Sequence, residues 1–273
     1  MEIHIPDLLD LEKIIDSGQC FRAVSLGGGT YRFIIGEQVL YIRKLSDEVY
    51  EVSCEQDIWE QVWHPYFDLD RNYHAISRTI PADDAFLSLA AQTGAGIRIL
   101  RQDPWEMLIT FIISQRKSIP AIRAVVEMLS KRYGTKIKTQ SETLYMFPTA
   151  LQLKNASAED FIACKAGYRA PYLCDAVHQV LSGSLDLAGI ASLSDEALIS
   201  ALEGVKGVGV KVANCVALFA YGRTACAPVD TWIKKIIRQE YQGQNPFDRY
   251  GDSAGIMQQY FFYYAQNHKA ETA

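Results

Sequence analysis

The period of the apolar residues changes once along this 273-residue chain, and that change limits the folds open to it. Between about Tyr31 and Cys54 the pattern alternates and is rich in β-branched and aromatic types: Tyr31-Arg32-Phe33-Ile34-Ile35, Val39-Leu40-Tyr41-Ile42 and Val49-Tyr50-Glu51-Val52. Gly36-Glu37 and Ser46-Asp47-Glu48 separate these runs as turns, so the segment predicts a short antiparallel meander. From about Asp83 onward the spacing is helical. Amphipathic stretches punctuated by Gly, Pro, Ser and Asp are predicted at 83–93, 103–114, 118–133, 158–165, 170–182, 195–203, 209–221, 230–240 and 252–266. The expected class is α+β: an amino-terminal antiparallel β-sheet domain with helices over 1–82, followed by an all-α domain over 83–273.

Composition sharpens this in three places. At 49% apolar residues the chain fills a core without crosslinks. No basic-then-apolar leader opens it and no apolar run reaches bilayer length, which predicts a cytoplasmic protein with no membrane partner. The six cysteines (Cys20, Cys54, Cys164, Cys174, Cys215, Cys226) stand far apart, without the close spacings of zinc or iron–sulfur sites, so reduced thiols, mostly core filler, are expected and neither a metal nor a cofactor is called for. A net charge of −5 argues against a protein that coats nucleic acid non-specifically; any nucleic-acid site must be a local basic surface on an acidic body.

The segment from Leu202 to Arg238 carries the chemistry. Ser194 with Asp195 and Glu196 predicts a helix start, and the run to Leu202 is periodic. Gly204, Gly207 and Gly209 then allow a tight hairpin whose backbone can take positive φ and approach another molecule, and a second helix opens at about Val210. Such a turn presents backbone N–H groups at a helix start, which suits a phosphate, although any two helices need a loop. Lys211 and Cys215, four apart, share one face of that helix. Past Gly222, Ala227-Pro228-Val229 is an extended approach to Asp230, which reads as the N-cap of another helix.

These residues resemble the helix-hairpin-helix-GPD superfamily of DNA glycosylases, with Gly207-Val208-Gly209 as the hairpin and Pro228-Val229-Asp230 as the terminal Pro/Asp element. A lysine placed as Lys211 looks like the bifunctional branch, which the monofunctional alkylpurine relatives do not share. The resemblance then extends over nearly the whole chain to the 8-oxoguanine glycosylase/lyase family. Gly18-Gln19-Cys20-Phe21-Arg22 is similar to its SGQ-x-FR element, Gly96 to Pro104 to its G-x-R-x-L-x-Q-D stretch, and Gly167-Tyr168-Arg169-Ala170 to its G-[YF]-R-A element.

The family resemblance implies a reaction and a set of roles. A base in a duplex must be turned out into a pocket before its glycosidic bond can be reached. The Gly18 carbonyl would accept the N7 proton that 8-oxoguanine carries and guanine lacks, a contact that discriminates because the wrong base leaves it unpaired. Cys215 and Phe262 would stack on the two faces of the base, and Gln258 would read its Watson–Crick edge. Lys211 would attack the anomeric carbon as a neutral amine, giving a Schiff base and then β-elimination. Asp230 would stabilise the positive sugar of the transition state and help orient the lysine. Phosphate and DNA contacts are expected from the hairpin glycines Gly207 and Gly209, from Lys117, Tyr168 and Arg169, and from Trp232 beside the extruded phosphate. The expected partner is duplex DNA containing an oxidised purine, bound by a monomer that works on the nucleoid.

Two positions depart from the family pattern. Ser114-Gln115-Arg116-Lys117 replaces an asparagine-rich run, so Arg116 stands where a gap-filling asparagine is expected, and a solvated basic loop is the alternative for these residues. Ala121 replaces an arginine that would read the opposite cytosine, which predicts a weak opposite-base preference. A glycosylase for another damaged purine and a non-catalytic lesion-binding protein remain the competing functions; the pairing of Lys211 with Asp230 argues against the second.

Overall fold

The computed structural model describes residues 1–268. Grouped by contacts, the chain forms two compact units: Met1–Phe33, Val39–Arg101 and the chain from Gly222 on, and Ile34–Gln38 with Gln102–Tyr221. This grouping does not follow the expected division at residue 82. The Ala85–Thr93 helix packs on the carboxyl-terminal Ala254–Asn267 helix, and both fall in the first unit.

Apart from Ile34, Ile35 and Gln38, the first unit holds a five-stranded antiparallel sheet of β1 (Glu2–His4), β2 (Val24–Gly27), β3 (Thr30–Ile35), β4 (Gln38–Lys44) and β5 (Val49–Val52) in the order β1-β5-β4-β3-β2. The predicted meander is β3-β4-β5. To it β1 adds on the β5 edge in the register Ile3↔Tyr50, and β2 adds on β3 with an irregularity between Ser25 and Gly27. Period-two alternation buries Leu40, Ile42, Tyr50 and Val52, while the opposed Arg43 and Glu51 pair outside at 2.7 Å. Phe33 lies edge-on to Phe67, with ring centres 5.1 Å apart, in an aromatic cluster with Tyr66 and Trp63. The two tryptophans of a π-helical turn, Trp59–Trp63, are both buried in this unit.

Arg98 ties the unit together. It is 0% exposed and all five of its donors are used: Nε to the Phe67 carbonyl, Nη1 to Asp7 and the Leu8 carbonyl, Nη2 to the carbonyls of Asp68 and Arg71. The guanidinium also lies 4.3 Å from the Tyr73 ring centre. A buried charge survives only when paired and hydrogen-bonded in this way.

The second unit is helical, with helices Pro104–Ser114, Ile119–Tyr133, Ala158–Ala163, Ala170–Ser182, Asp195–Glu203 and Val210–Phe219. A two-stranded ribbon, Lys136–Lys138 with Thr143–Tyr145, interrupts them. Asp103 caps the first helix by accepting from the Glu106 amide at 2.8 Å, ahead of Pro104, and burial pushes its carboxyl up. Phe111 stacks on Phe219 at 5.5 Å, and the Gln102 amide donates to the Phe219 carbonyl at 2.8 Å, which docks the Val210–Phe219 helix on the Pro104–Ser114 helix. Among the described residues no helix is long and apolar enough to cross a membrane.

Candidate active site

In the second unit, Ser194 caps the Asp195–Glu203 helix, and the chain turns through residues 204–209 into the Val210–Phe219 helix. Val205 and Val208 are buried and anchor the turn, and the Val208 amide donates to the Val205 carbonyl at 3.0 Å. Only one of the three glycines expected to take positive φ does so. Gly207 has φ +81°, whereas Gly204 is helical and Gly209 is extended as the helix N-cap. Gly207 also needs its missing side chain, because a Cβ there would lie 2.3 Å from the Tyr172 ring. At Gly209 a Cβ would meet nothing within 4 Å, so its value is an open approach to the helix start. Gly209 has no side chain to cap the first-turn amides, and Val210 is 63% exposed, which leaves those amides open to an external anion.

Lys211 is half-buried one residue into this helix, its Nζ 5.3 Å from the centre of the Phe111 ring. The Phe111–Phe219 stack is therefore a rigid apolar floor beside the amine. Cys215, one turn on, is a buried thiol. Phe111 was invisible as a site residue in the sequence, being one apolar residue in a helix buried from Glu106 to Ile113.

A cationic group occupies the same unit. Arg116 is exposed at φ +51°, a left-handed conformation that costs a non-glycine residue about 1–2 kcal/mol. Its neighbours hold it: the Gln115 side chain donates to the Gly207 carbonyl and the Lys117 ammonium to the Lys165 carbonyl, each at 3.0 Å. Burial, and then the Arg169 charge, pull Lys117 below its ordinary value. Arg169 is buried, donates to the Ala166 carbonyl at 3.2 Å and lies 4.3 Å from the Tyr168 ring centre, while Tyr168 is 54% exposed. Burial first, and the Arg116 charge further, lower the Arg169 guanidinium. Crowded like charges of this kind favour an anion from outside. Arg116 itself is exposed.

In the first unit, Gly18 takes φ +74° and sits against Phe262, so that a Cβ would come within 2.5 Å of the Phe262 ring. Gln258, 4% exposed on the Ala254–Asn267 helix, has an Oε1 with no hydrogen-bond partner. A buried acceptor left unpaired costs about 1–3 kcal/mol, which a bound ligand with a donor would recover. Tyr260, Phe261 and Tyr264 of the same helix are buried packing. Asp230 is half-buried and is the N-cap of Thr231–Glu240, its Oδ1 accepting from the Ile233 amide at 2.9 Å; Trp232 is half-buried in the first turn. Sequence reasoning missed the residues that fix Gly18. The Gln19 side chain donates to Ser17 Oγ and the Arg98 carbonyl and accepts from the Leu100 amide, and Gln259 donates to the Ser17 carbonyl. Gln19 had a signal, since it lies inside the quoted motif.

The chain matches the family described as 8-oxoguanine DNA glycosylase, N-terminal domain, over residues 3–108. It is 30% identical to the N-glycosylase/DNA lyase of Saccharomyces cerevisiae, over 86% of this chain and 69% of that one. It is similar to the structure of the Clostridium acetobutylicum 8-oxoguanine glycosylase/lyase in complex with double-stranded DNA containing cytosine opposite 8-oxoguanine, at 34% identity, 98% of each chain and a TM-score of 0.91. It is also similar to MBOgg1 solved with a low-affinity DNA ligand, at 33% identity, 98% of this chain, 96% of that one and a TM-score of 0.93.

Proposed function

Because this chain belongs to the 8-oxoguanine DNA glycosylase/lyase family, we propose that Lys211 is the nucleophile with which it releases 8-oxoguanine from duplex DNA and then cuts the strand. The protein is a bifunctional DNA glycosylase and lyase of base-excision repair, and its partner is double-stranded DNA. We take it to act as a monomer in the cytoplasm, and we keep 1–82 and 83–273 as its sequence modules.

The reaction follows from the residue chemistry. The deprotonated Lys211 amine bonds to the anomeric carbon while the bond from that carbon to the base nitrogen breaks, and the base leaves with the electron pair and takes up a proton. Opening of the sugar gives a Schiff base. Loss of a proton from the adjacent carbon then expels the 3′ phosphate and breaks the strand. The observation that carries this reading is the half-buried Lys211 amine beside Phe111, directly after an uncapped helix start suited to phosphate.

We assign the Asp230 carboxylate to the positive charge that develops on the sugar. Gly18, Gln258, Phe262 and Cys215 are assigned to the base, and the unpaired Gln258 oxygen supports a donor-bearing ligand edge. Arg116, Lys117, Tyr168, Arg169, Gly207, Gly209 and Trp232 are assigned to DNA. An end-labelled duplex with a single 8-oxoguanine tests the reading: wild type cleaves at the lesion, and Lys211→Gln leaves it intact. Equal cleavage by both proteins would overturn the assignment.

A further inference from the structure

We propose that Gln259 is a positioning residue for lesion discrimination, which holds the Ser17 carbonyl so that the next carbonyl, that of Gly18, keeps one orientation. This rests on the reading of Gly18 as the group that distinguishes 8-oxoguanine from guanine.

Glycine has the freest backbone of any residue, and Gly18 sits at φ +74°, so its carbonyl direction must be set from outside. The chain on each side of it is held. On one side, the Gln259 amide donates to the Ser17 carbonyl at 2.5 Å. On the other, the Gln19 side chain makes three bonds of 2.8–2.9 Å to Ser17 Oγ, the Arg98 carbonyl and the Leu100 amide. Arg98 is itself the buried node described above, so the Gln19 side is rigid. With the Ser17 carbonyl held directly and the residue after Gly18 anchored by its side chain, the Gly18 torsions have little freedom left.

The Gln259 bond differs from those of Gln19 in what it connects. Gln259 is 2% exposed and follows Gln258 on the Ala254–Asn267 helix, which also carries Phe262 against Gly18. A single helix therefore bears the assigned edge-reading glutamine, the assigned stacking ring and the hydrogen bond to the loop of the discriminating carbonyl. Burying an amide is unfavourable unless its hydrogen bond is made, and packing alone would be served by leucine. The bond holds the carbonyl in register with the surfaces that receive the base.

The test measures affinity in a Lys211→Gln background, so that binding is read without chemistry. Three duplexes are compared: 8-oxoguanine, guanine, and a tetrahydrofuran abasic analogue that offers no base. Gln259→Leu is expected to narrow the 8-oxoguanine-to-guanine ratio about tenfold while abasic affinity stays within twofold. An unchanged ratio, or a parallel loss on all three duplexes, overturns the proposal. If the parent Lys211→Gln protein does not separate 8-oxoguanine from guanine, it is the Gly18 reading that falls. Gln259→Glu is a second variant of nearly unchanged size. Its ratio should recover as pH is lowered and the acid gains a proton to donate to the Ser17 carbonyl; a ratio blind to pH counts against the proposal.

Discussion

Replacing Gly18 with alanine adds one methyl group, and the structure allows its effect to be sized. Alanine at φ +74° carries the left-handed penalty of about 1–2 kcal/mol. Its Cβ would also stand 2.5 Å from Phe262 Cε1 and 3.1 Å from Cζ, so the ring must move or the loop must rotate. Either movement displaces a surface assigned to the base, and stacking of a base on an aromatic ring is worth about 1–3 kcal/mol. The sum, about 2–5 kcal/mol, predicts a loss of roughly 30-fold to several thousand-fold in single-turnover excision of 8-oxoguanine. Affinity for an abasic duplex, which has no base to stack, should stay within about threefold. The two terms separate in a double-mutant cycle. In a Phe262→Ala background the clash is gone, and the added cost of Gly18→Ala should fall to about the 1–2 kcal/mol of the backbone term. Excision within threefold of wild type, or an equal penalty in both backgrounds, would refute the reasoning.

Other substitutions probe other parts of the account. Gly207→Ala puts a Cβ 2.3 Å from the Tyr172 ring at φ +81°, and it should weaken binding to lesion, undamaged and abasic duplexes alike by about tenfold, roughly 1.4 kcal/mol, in a titration. Arg98→Met leaves Asp7 and four carbonyls without their buried partner and should cost about 3–5 kcal/mol, seen as a lower thermal midpoint. Ala121 offers only a methyl group where the family resemblance expects an arginine, so cleavage of 8-oxoguanine opposite each of the four bases should differ by less than about tenfold, about 1.4 kcal/mol.

What could be read from the sequence depended on the length of each signal. The long periodic helices at 170–182 and 195–203 stand where the apolar spacing puts them, because their faces repeat over several turns. Strand β1 and the 136–145 ribbon were not anticipated, since three-residue strands such as Lys136-Ile137-Lys138 are too short to show alternation. The site divides in a similar way. Lys211, Asp230 and Gly18 lie in recognisable motifs, whereas Gln259 acts on a backbone carbonyl 242 positions away, and a carbonyl leaves no mark in a sequence. Gln115 is hidden for the same reason, its partner being the carbonyl of Gly207. The hairpin glycines looked alike in the sequence, and it is the positive φ of Gly207 and its packing on Tyr172 that distinguish it from Gly209.

The account turns on the Lys211 amine. Borohydride reduces a Schiff base to a stable amine, so an 8-oxoguanine duplex mixed with the wild-type protein and borohydride should become covalently joined to it, with the adduct on the peptide that contains Lys211. Lys211→Gln should give no such adduct. Undiminished crosslinking by Lys211→Gln, or an adduct mapped to another residue of the wild-type chain, would contradict the central claim.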